Sequence, residues 1–225
     1  MAGLEFRKRR QQEDPLVRTW SELQTGFDRY GRALGIAVVL VIVAAGAFYF
    51  WNRARQAREA EASVQLAEAR GLYWRGDYAT VLQQTRDIET QYAGTRSAAE
   101  ATRVRGDALY WQGDFKAAIS AYEEYVSRVD LNSPAHSQVQ ENLAQALEND
   151  GQFERAAQIY EEVAAAEGPR DILASRWIHA GRAWHLAGNR EKSIAAYHHV
   201  VENYADTPSF RDAQLRLGEA GVLNS

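Results

Sequence analysis

The chain has no cysteine among its 225 residues. That excludes disulfides, thiolate metal sites and a cysteine nucleophile, and it is compatible with an oxidising compartment without requiring one. Histidine is scarce as well: His136, His179, His185, His198 and His199 are the full set. On a helix the adjacent His198 and His199 point about 100° apart, so they do not converge on one metal. A glycine-rich phosphate loop and a paired metal-ligand motif are both missing. These gaps predict a protein that is not an enzyme and has no cofactor, no metal and no small-molecule substrate.

Basic charge is lacking where a nucleic-acid binder needs it. The net charge of −4 averages unlike parts: residues 1–32 hold seven basic and five acidic side chains, and residues 59–225 hold 16 basic and 25 acidic. A domain that acidic cannot neutralise phosphates, which argues against nucleic acid as a partner. The tract Arg7 to Arg10 reads instead as a topology signal or a weak contact with anionic membrane lipid.

Charge is absent altogether from Ala33 to Asn52. Nineteen apolar residues at about 1.5 Å each span about 28 Å, enough to cross a hydrocarbon core. The run ends in Phe48-Tyr49-Phe50-Trp51, an aromatic cluster suited to the headgroup level. A cleaved signal peptide fits less well, because its charged region would be 32 residues long and the small residues Ala44 to Ala47 lie inside the run. An uncleaved transmembrane helix over 32–52 is expected. Seven cations precede it, and three (Arg53, Arg55, Arg58) follow in a basic juxtamembrane linker, 53–58. That excess places the N-terminus in the cytoplasm and the rest of the chain across the membrane, which in a bacterium means an inner-membrane, single-pass protein with a periplasmic domain.

Between a basic cytoplasmic tail (1–13) and the span, Asp14-Pro15 has the form of a helix start. Leu16, Trp20, Leu23, Phe27, Tyr30 and Leu34 follow at steps of three and four, which gathers them on one stripe. The expectation is an amphipathic helix over 14–31 that lies on the membrane surface or docks to a subunit, then turns at Gly31. The alternative is a plain extension of the membrane helix.

What fills the remainder is a repeat. Gly76-Asp77-Tyr78, Gly113-Asp114-Phe115, Gly151-Gln152-Phe153 and Gly188-Asn189-Arg190 lie 37, 38 and 37 residues apart, a period that marks a solenoid of helix pairs. Each glycine ends a first helix, where a left-handed backbone costs it nothing. Small residues recur nine positions before the turn aromatic (Ala69, Gly106, Ala144, Gly181) and small or compact ones three after it (Val81, Ala118, Ala156, Ser193). These columns mark a close helix crossing. Thr85, Tyr122, Tyr160 and Tyr197, then Ile88, Tyr125, Val163 and Val200, form bulky columns that plug the gap to the next pair. Glu123-Glu124 and Glu161-Glu162 recur in register and read as a solvated face. Asp107 and His185 fall two repeats apart, too far for a dyad.

These columns resemble the tetratricopeptide repeat family over residues 59–222. Arg190 replaces the expected turn aromatic and Thr85 the expected tyrosine. The fold class expected is all-α: one transmembrane helix, then an α-solenoid of four helix pairs (about 59–94, 95–132, 133–169, 170–207) with a cap over 208–222. Tyr30-Gly31-Arg32-Ala33-Leu34 entering the span, Phe48 to Asn52 leaving it, and the overall layout are similar to the single-span YfgM-like family. That resemblance implies company with a translocon and periplasmic chaperones, and it carries no catalytic residue.

First helices of the pairs would line a concave groove with Arg70, Tyr73 and Trp74; Arg103, Asp107, Tyr110 and Trp111; Glu141, Gln145 and Glu148; and Arg182 and His185. Tyr73-Trp74 and Tyr110-Trp111 repeat the same pair and would anchor a partner, unless each tryptophan only covers its own seam. Arg70 and Arg103 would meet carboxylates on an extended client. Two functions follow. One is a membrane-anchored interaction scaffold for chaperones or exported clients. The other is a permanent accessory subunit of a large membrane complex, energy-converting (photosynthetic or respiratory) or envelope-assembling, held through Leu16 to Tyr30 and the span.

Overall fold

A computed structural model describes the backbone of residues 15–129 and 134–220, and the side chains of 31–129 and 135–220. Every regular element among the described residues is a helix: α1 Pro15–Trp74, α2 Tyr78–Gln91, α3 Arg96–Trp111, α4 Phe115–Val126, α5 Pro134–Asn149, α6 Phe153–Ala164, α7 Arg170–Leu186, α8 Arg190–Asn203 and α9 Ser209–Glu219. The chain divides into two compact units, Met1–Gln56 and Ala57–Ser225.

In the first unit α1 runs through Gly31 without a break, and residues 53–58, expected as a linker, are helical too. The physical reason is composition. One glycine costs a helix interior only about 1 kcal/mol, and the alanine, leucine, arginine and glutamine around these points favour helix. The basic tail lies outside the described residues, and the stripe Leu16, Trp20, Leu23, Phe27 and Tyr30 outside the described side chains. Gly31–Trp74 contains a stretch long and apolar enough to cross a membrane, and none of its most apolar window is buried within the protein. At its end the Phe48 and Trp51 rings lie 6.2 Å apart, and the Arg55 guanidinium stands 5.7 Å over Trp51.

The second unit is the solenoid, and its register is set by one turn used four times. Gly76, Gly113, Gly151 and Gly188 have φ between +77° and +82°. The residue after each glycine donates its N–H five residues back, to the carbonyls of Leu72, Leu109, Leu147 and Trp184, at 2.8–3.1 Å. This closes the first helix in a Schellman-type turn. That same residue then starts the second helix: Asp77, Asp114 and Asn189 accept the N–H of Thr80, Ala117 and Lys192 through their side chains, whereas Gln152 makes no such bond. A single position thus ends one helix and caps the next.

Packing follows chain order, α2 on α3, α3 on α4 and so on to α9, which also touches α7. One core gathers Leu66 and Ala69 of α1 with Val81 and Ile88 of α2 and Ala101 of α3. A central core joins α3 to α7 around Tyr122, Leu147, Tyr160 and Trp184, and a third sets Ala213 and Leu217 of α9 against Val200. The capping helix therefore buries the last apolar edge, as solenoid ends require. The small columns sit at the crossings, and two glycines are needed there. A Cβ on Gly106 would lie 2.7 Å from Tyr122 Cε1, and one on Gly181 2.5 Å from Tyr197 Cε1.

Gly106→Ala should accordingly lower stability by about 1–3 kcal/mol through overpacking, despite alanine's better helix propensity. Gly71→Ala, whose Cβ meets nothing within 4 Å, should not. Thermal unfolding of the two variants checks the contrast.

Candidate partner-binding surface

Buried tyrosines need a partner for the hydroxyl, and the polar face of the solenoid is organised around that need. Tyr122 donates to Asp107 at 2.9 Å, Tyr125 to Glu100 at 2.6 Å and Tyr160 to Glu148 at 3.0 Å. Arginines then cross the acids. Arg103 bridges Glu100 at 3.0 Å and Asp107 at 2.7 Å, Arg70 reaches Glu100 at 3.0 Å, and Arg182 reaches Glu148 at 2.8 Å. Asn142 adds a donor to Asp107 at 3.4 Å. Glu141 holds Arg176 at 3.1 Å; this arginine is only 8% exposed and also donates to the Val163 carbonyl at 3.0 Å.

Among the expected groove residues, Arg70 and Arg103 pair with the protein's own Glu100 and Asp107, because burying a tyrosine hydroxyl on an acid calls for a countercharge. Glu100 escaped the sequence analysis, as did the hydroxyls of Tyr122, Tyr125 and Tyr160, assigned there to apolar plugging. The available signal was a tyrosine column facing helix positions that carry acids. Glu123, Glu124 and Glu161 correct a second expectation: they bind Arg155 at 2.7 Å, Arg105 at 2.7 Å and Trp184 Nε1 at 2.8 Å. Only Glu162 of the four is simply exposed.

The aromatic pairs behave differently. Trp74 is 83% exposed and Trp111 62%, so neither is consumed by covering its own seam. Each stands edge-on to the preceding tyrosine, Tyr73 at 5.4 Å and Tyr110 at 5.9 Å between ring centroids. The tyrosines are braced in turn. Tyr73 packs on Tyr78, while Tyr110 packs on Phe115 and accepts from Asn149 at 3.1 Å. Tyr73, Trp74, Tyr110 and Trp111 form an aromatic ledge drawn from two successive repeats. Gln145 lends its carbonyl to Asn149 at 2.8 Å. His185 lies apart, exposed beside Arg182 in the last repeat. Among the described residues no group of three His, Asp or Glu gathers to hold a metal ion.

In this ladder of tyrosines, acids and arginines, two acids, Glu100 and Asp107, titrate in opposite directions. Burial pushes Glu100 up, but the Tyr125 hydrogen bond with Arg103 and Arg70 outweighs it, and its pKa falls below the usual range. For Asp107 burial wins over Arg103, Tyr122 and Asn142, and its pKa rises. Glu100 thus contributes stability that is present above its unfolded pKa and lost as pH falls through its lower folded value; Asp107 contributes with the opposite sign. Glu100→Gln should destabilise the domain at pH 7 by about 1.5–3 kcal/mol, the range for hydrogen bonds to charged groups. The gap between variant and wild type should close as pH drops toward 3, and thermal melts across that range measure it.

Residues 90–133 and 103–172 match the family model described as tetratricopeptide repeat. No curated protein sequence matches the chain. Among solved structures, TPR-like repeats from Podosopora anserina superpose with a TM-score of 0.59 at 19% identity, covering 72% of this chain and 86% of that one. MamA 41-end from Desulfovibrio magneticus RS-1 gives 0.54 at 18% identity, over 72% and 95%. A MamA RS-1 double mutant gives 0.52 at 22%, over 63% and 74%. With the four glycine turns and the small columns, these likenesses make the second unit a tetratricopeptide-like solenoid, a fold that in general presents a surface to proteins rather than a reacting centre.

Proposed function

We propose that the chain is a membrane-anchored scaffold that docks protein partners on the ledge of Tyr73, Trp74, Tyr110 and Trp111. The exposure of Trp74 and Trp111 carries this reading. Two indoles held in water by braced tyrosines are the kind of rigid anchor that dominates protein interfaces. The ladder beneath supports it, since an internally neutralised face presents the anchors without a strong unpaired charge. The charge-free stretch Ala33–Asn52 supports the membrane anchor in this reading, and the cation excess before it supports a periplasmic side for the repeats. In the layout of the YfgM-like family, the partners are chaperones or exported proteins near a translocon.

Two experiments test this. The chain has no cysteine, so Gln158→Cys creates a single label on exposed α6 surface; an impermeant maleimide should modify it in spheroplasts, and protection until lysis would reverse the orientation. Partners co-purified in mild detergent with the tagged chain should be lost on Trp74→Ala with Trp111→Ala, each substitution weakening binding tenfold or more at about 2 kcal/mol per hot spot. A fixed-stoichiometry complex that survives both substitutions and high salt would instead identify a permanent accessory subunit.

A further inference from the structure

The last repeat carries a titratable ring where the earlier ones do not. Two residues before the small residue of each crossing stand Ala67, Val104 and Asn142, and in the fourth repeat His179. Its half-buried imidazole lies over the Tyr160 ring of α6, with centroids 5.4 Å apart. One ring nitrogen, Nε2, is 3.5 Å from the Ser175 hydroxyl, and the other, Nδ1, is 3.5 Å from Arg182 Nη2. That same arginine nitrogen donates to Glu148 of α5 at 2.8 Å, and Tyr160 donates to the same carboxylate oxygen at 3.0 Å. The other oxygen, Glu148 Oε1, is buried and meets no donor among the described residues.

The protonation state follows from what each group is able to do. A guanidinium only donates, so its contact with His179 requires Nδ1 to accept. The ring is then neutral, with its proton on Nε2 toward Ser175. The surroundings favour that form: burial and Arg182 hold the His179 pKa below the ordinary histidine value, against the pull of Glu141 and Glu148 on α5 and Asp212 on α9. Glu141 and Asp212 are each engaged by an arginine, Arg176 at 3.1 Å and Arg216 at 3.2 Å. From α8 comes the Tyr197 ring, over Gly181. A proton on Nδ1 turns this acceptor into a second donor, and two cations then face each other. Arg182, at 46% exposure, has water to move into, whereas the ring is backed by Tyr160.

We propose that His179 is an acid-sensitive latch between the third and fourth repeats: neutral, it steadies Arg182 on Glu148; protonated, it expels Arg182 and takes Glu148 itself, so that α7 to α9 loosen from α5 and α6. The inference goes beyond the scaffold reading and does not depend on it. Linkage gives the sign. With the folded value depressed, the stability is present above the unfolded value of about 6.5 and is lost as pH falls from there through the folded one. The aromatic ledge belongs to the first two repeats and keeps its packing.

The test uses the full chain in detergent, labelled at the Cε1 carbon of histidine with ¹³C. The imidazole signal that disappears in His179→Gln identifies His179. Its midpoint should lie below about 6.5, rise by about half a unit or more in Arg182→Gln, which removes a like charge, and fall in Glu148→Gln. Amide hydrogen exchange, corrected for its intrinsic pH dependence, supplies the second readout. Helices α7 and α9 should exchange severalfold faster at about pH 5.5 than at about pH 7.5, with α2 to α4 unchanged. His179→Gln should abolish that difference, and His185→Gln on the same helix should keep it. Circular dichroism at the higher pH checks that each variant retains its helices. A His179 midpoint at or above the ordinary value, or one indifferent to Arg182→Gln, would overturn the proposal. So would equal exchange at the two pH values, or an acid effect that persists without His179.

Discussion

A helix pair in a solenoid is held only by its neighbours, so the seam inside each pair must close without a void. In this domain the seam is closed by an aromatic ring laid across a residue small enough to receive it. The approach at Gly106 and Gly181 leaves no room for a methyl group. A phenylalanine would satisfy the volume, but the chain uses tyrosine, and the hydroxyl brings an obligation. Asp107 and Glu148 meet it, and each acid calls for an arginine: Arg103 from the same helix, and Arg182, which ties α7 to α5. The polar network is thus a consequence of how the seam is packed.

The turn makes that arrangement repeatable. A glycine at positive φ followed by Asp, Gln or Asn closes one helix and opens the other through the same backbone bonds each time. With the turn fixed, a small residue and a bulky one at constant distances from it recur in every pair. Departures stay local as a result. Gln152 makes no side-chain cap, yet its backbone donates to Leu147 at 2.8 Å as the others do. Thr85 stands where a tyrosine would and returns its hydroxyl to the Val81 carbonyl of its own helix at 2.8 Å; the first repeat consequently has no acid of this kind and needs none.

This explains which parts were legible in the sequence. Turn glycines, crossing columns and the charge-free run are local or periodic, so a linear reading finds them and with them the all-helical class. Continuity through Gly31 is the second of two readings of the sequence, and helix over 53–58 is not expected from it, because Gly31 and the cluster Arg53 to Arg58 look like punctuation, although a single glycine or a few arginines seldom interrupt a helix whose neighbours favour it. Ion-pair partners were missed for another reason. Arg70 with Glu100, Arg176 with Glu141 and Arg182 with Glu148 join residues 30 to 35 apart, and their pairing depends on side-chain reach across a seam, which periodicity does not encode. The exposure of Trp74 and Trp111 belongs to the same class: spacing alone does not say whether an indole at a helix end folds back or stands out.

The position of those indoles follows from the same geometry. They end the first helix of their pair, two residues before the turn glycine, where the chain leaves the crossing. Tyr73 and Tyr110, one residue earlier, still reach Tyr78 and Phe115 across the turn and hold the indoles edge-on. In the third repeat the place of the indole goes to Asn149, which ties back to Tyr110, so the ledge ends where the backbone turn itself does not change. Beyond it, the fourth repeat places Arg182 and His185 where the middle repeats place Asp107 and Glu148, so the acid network that backs the middle seams stops there while the packing of tyrosine over glycine continues at Tyr197 and Gly181.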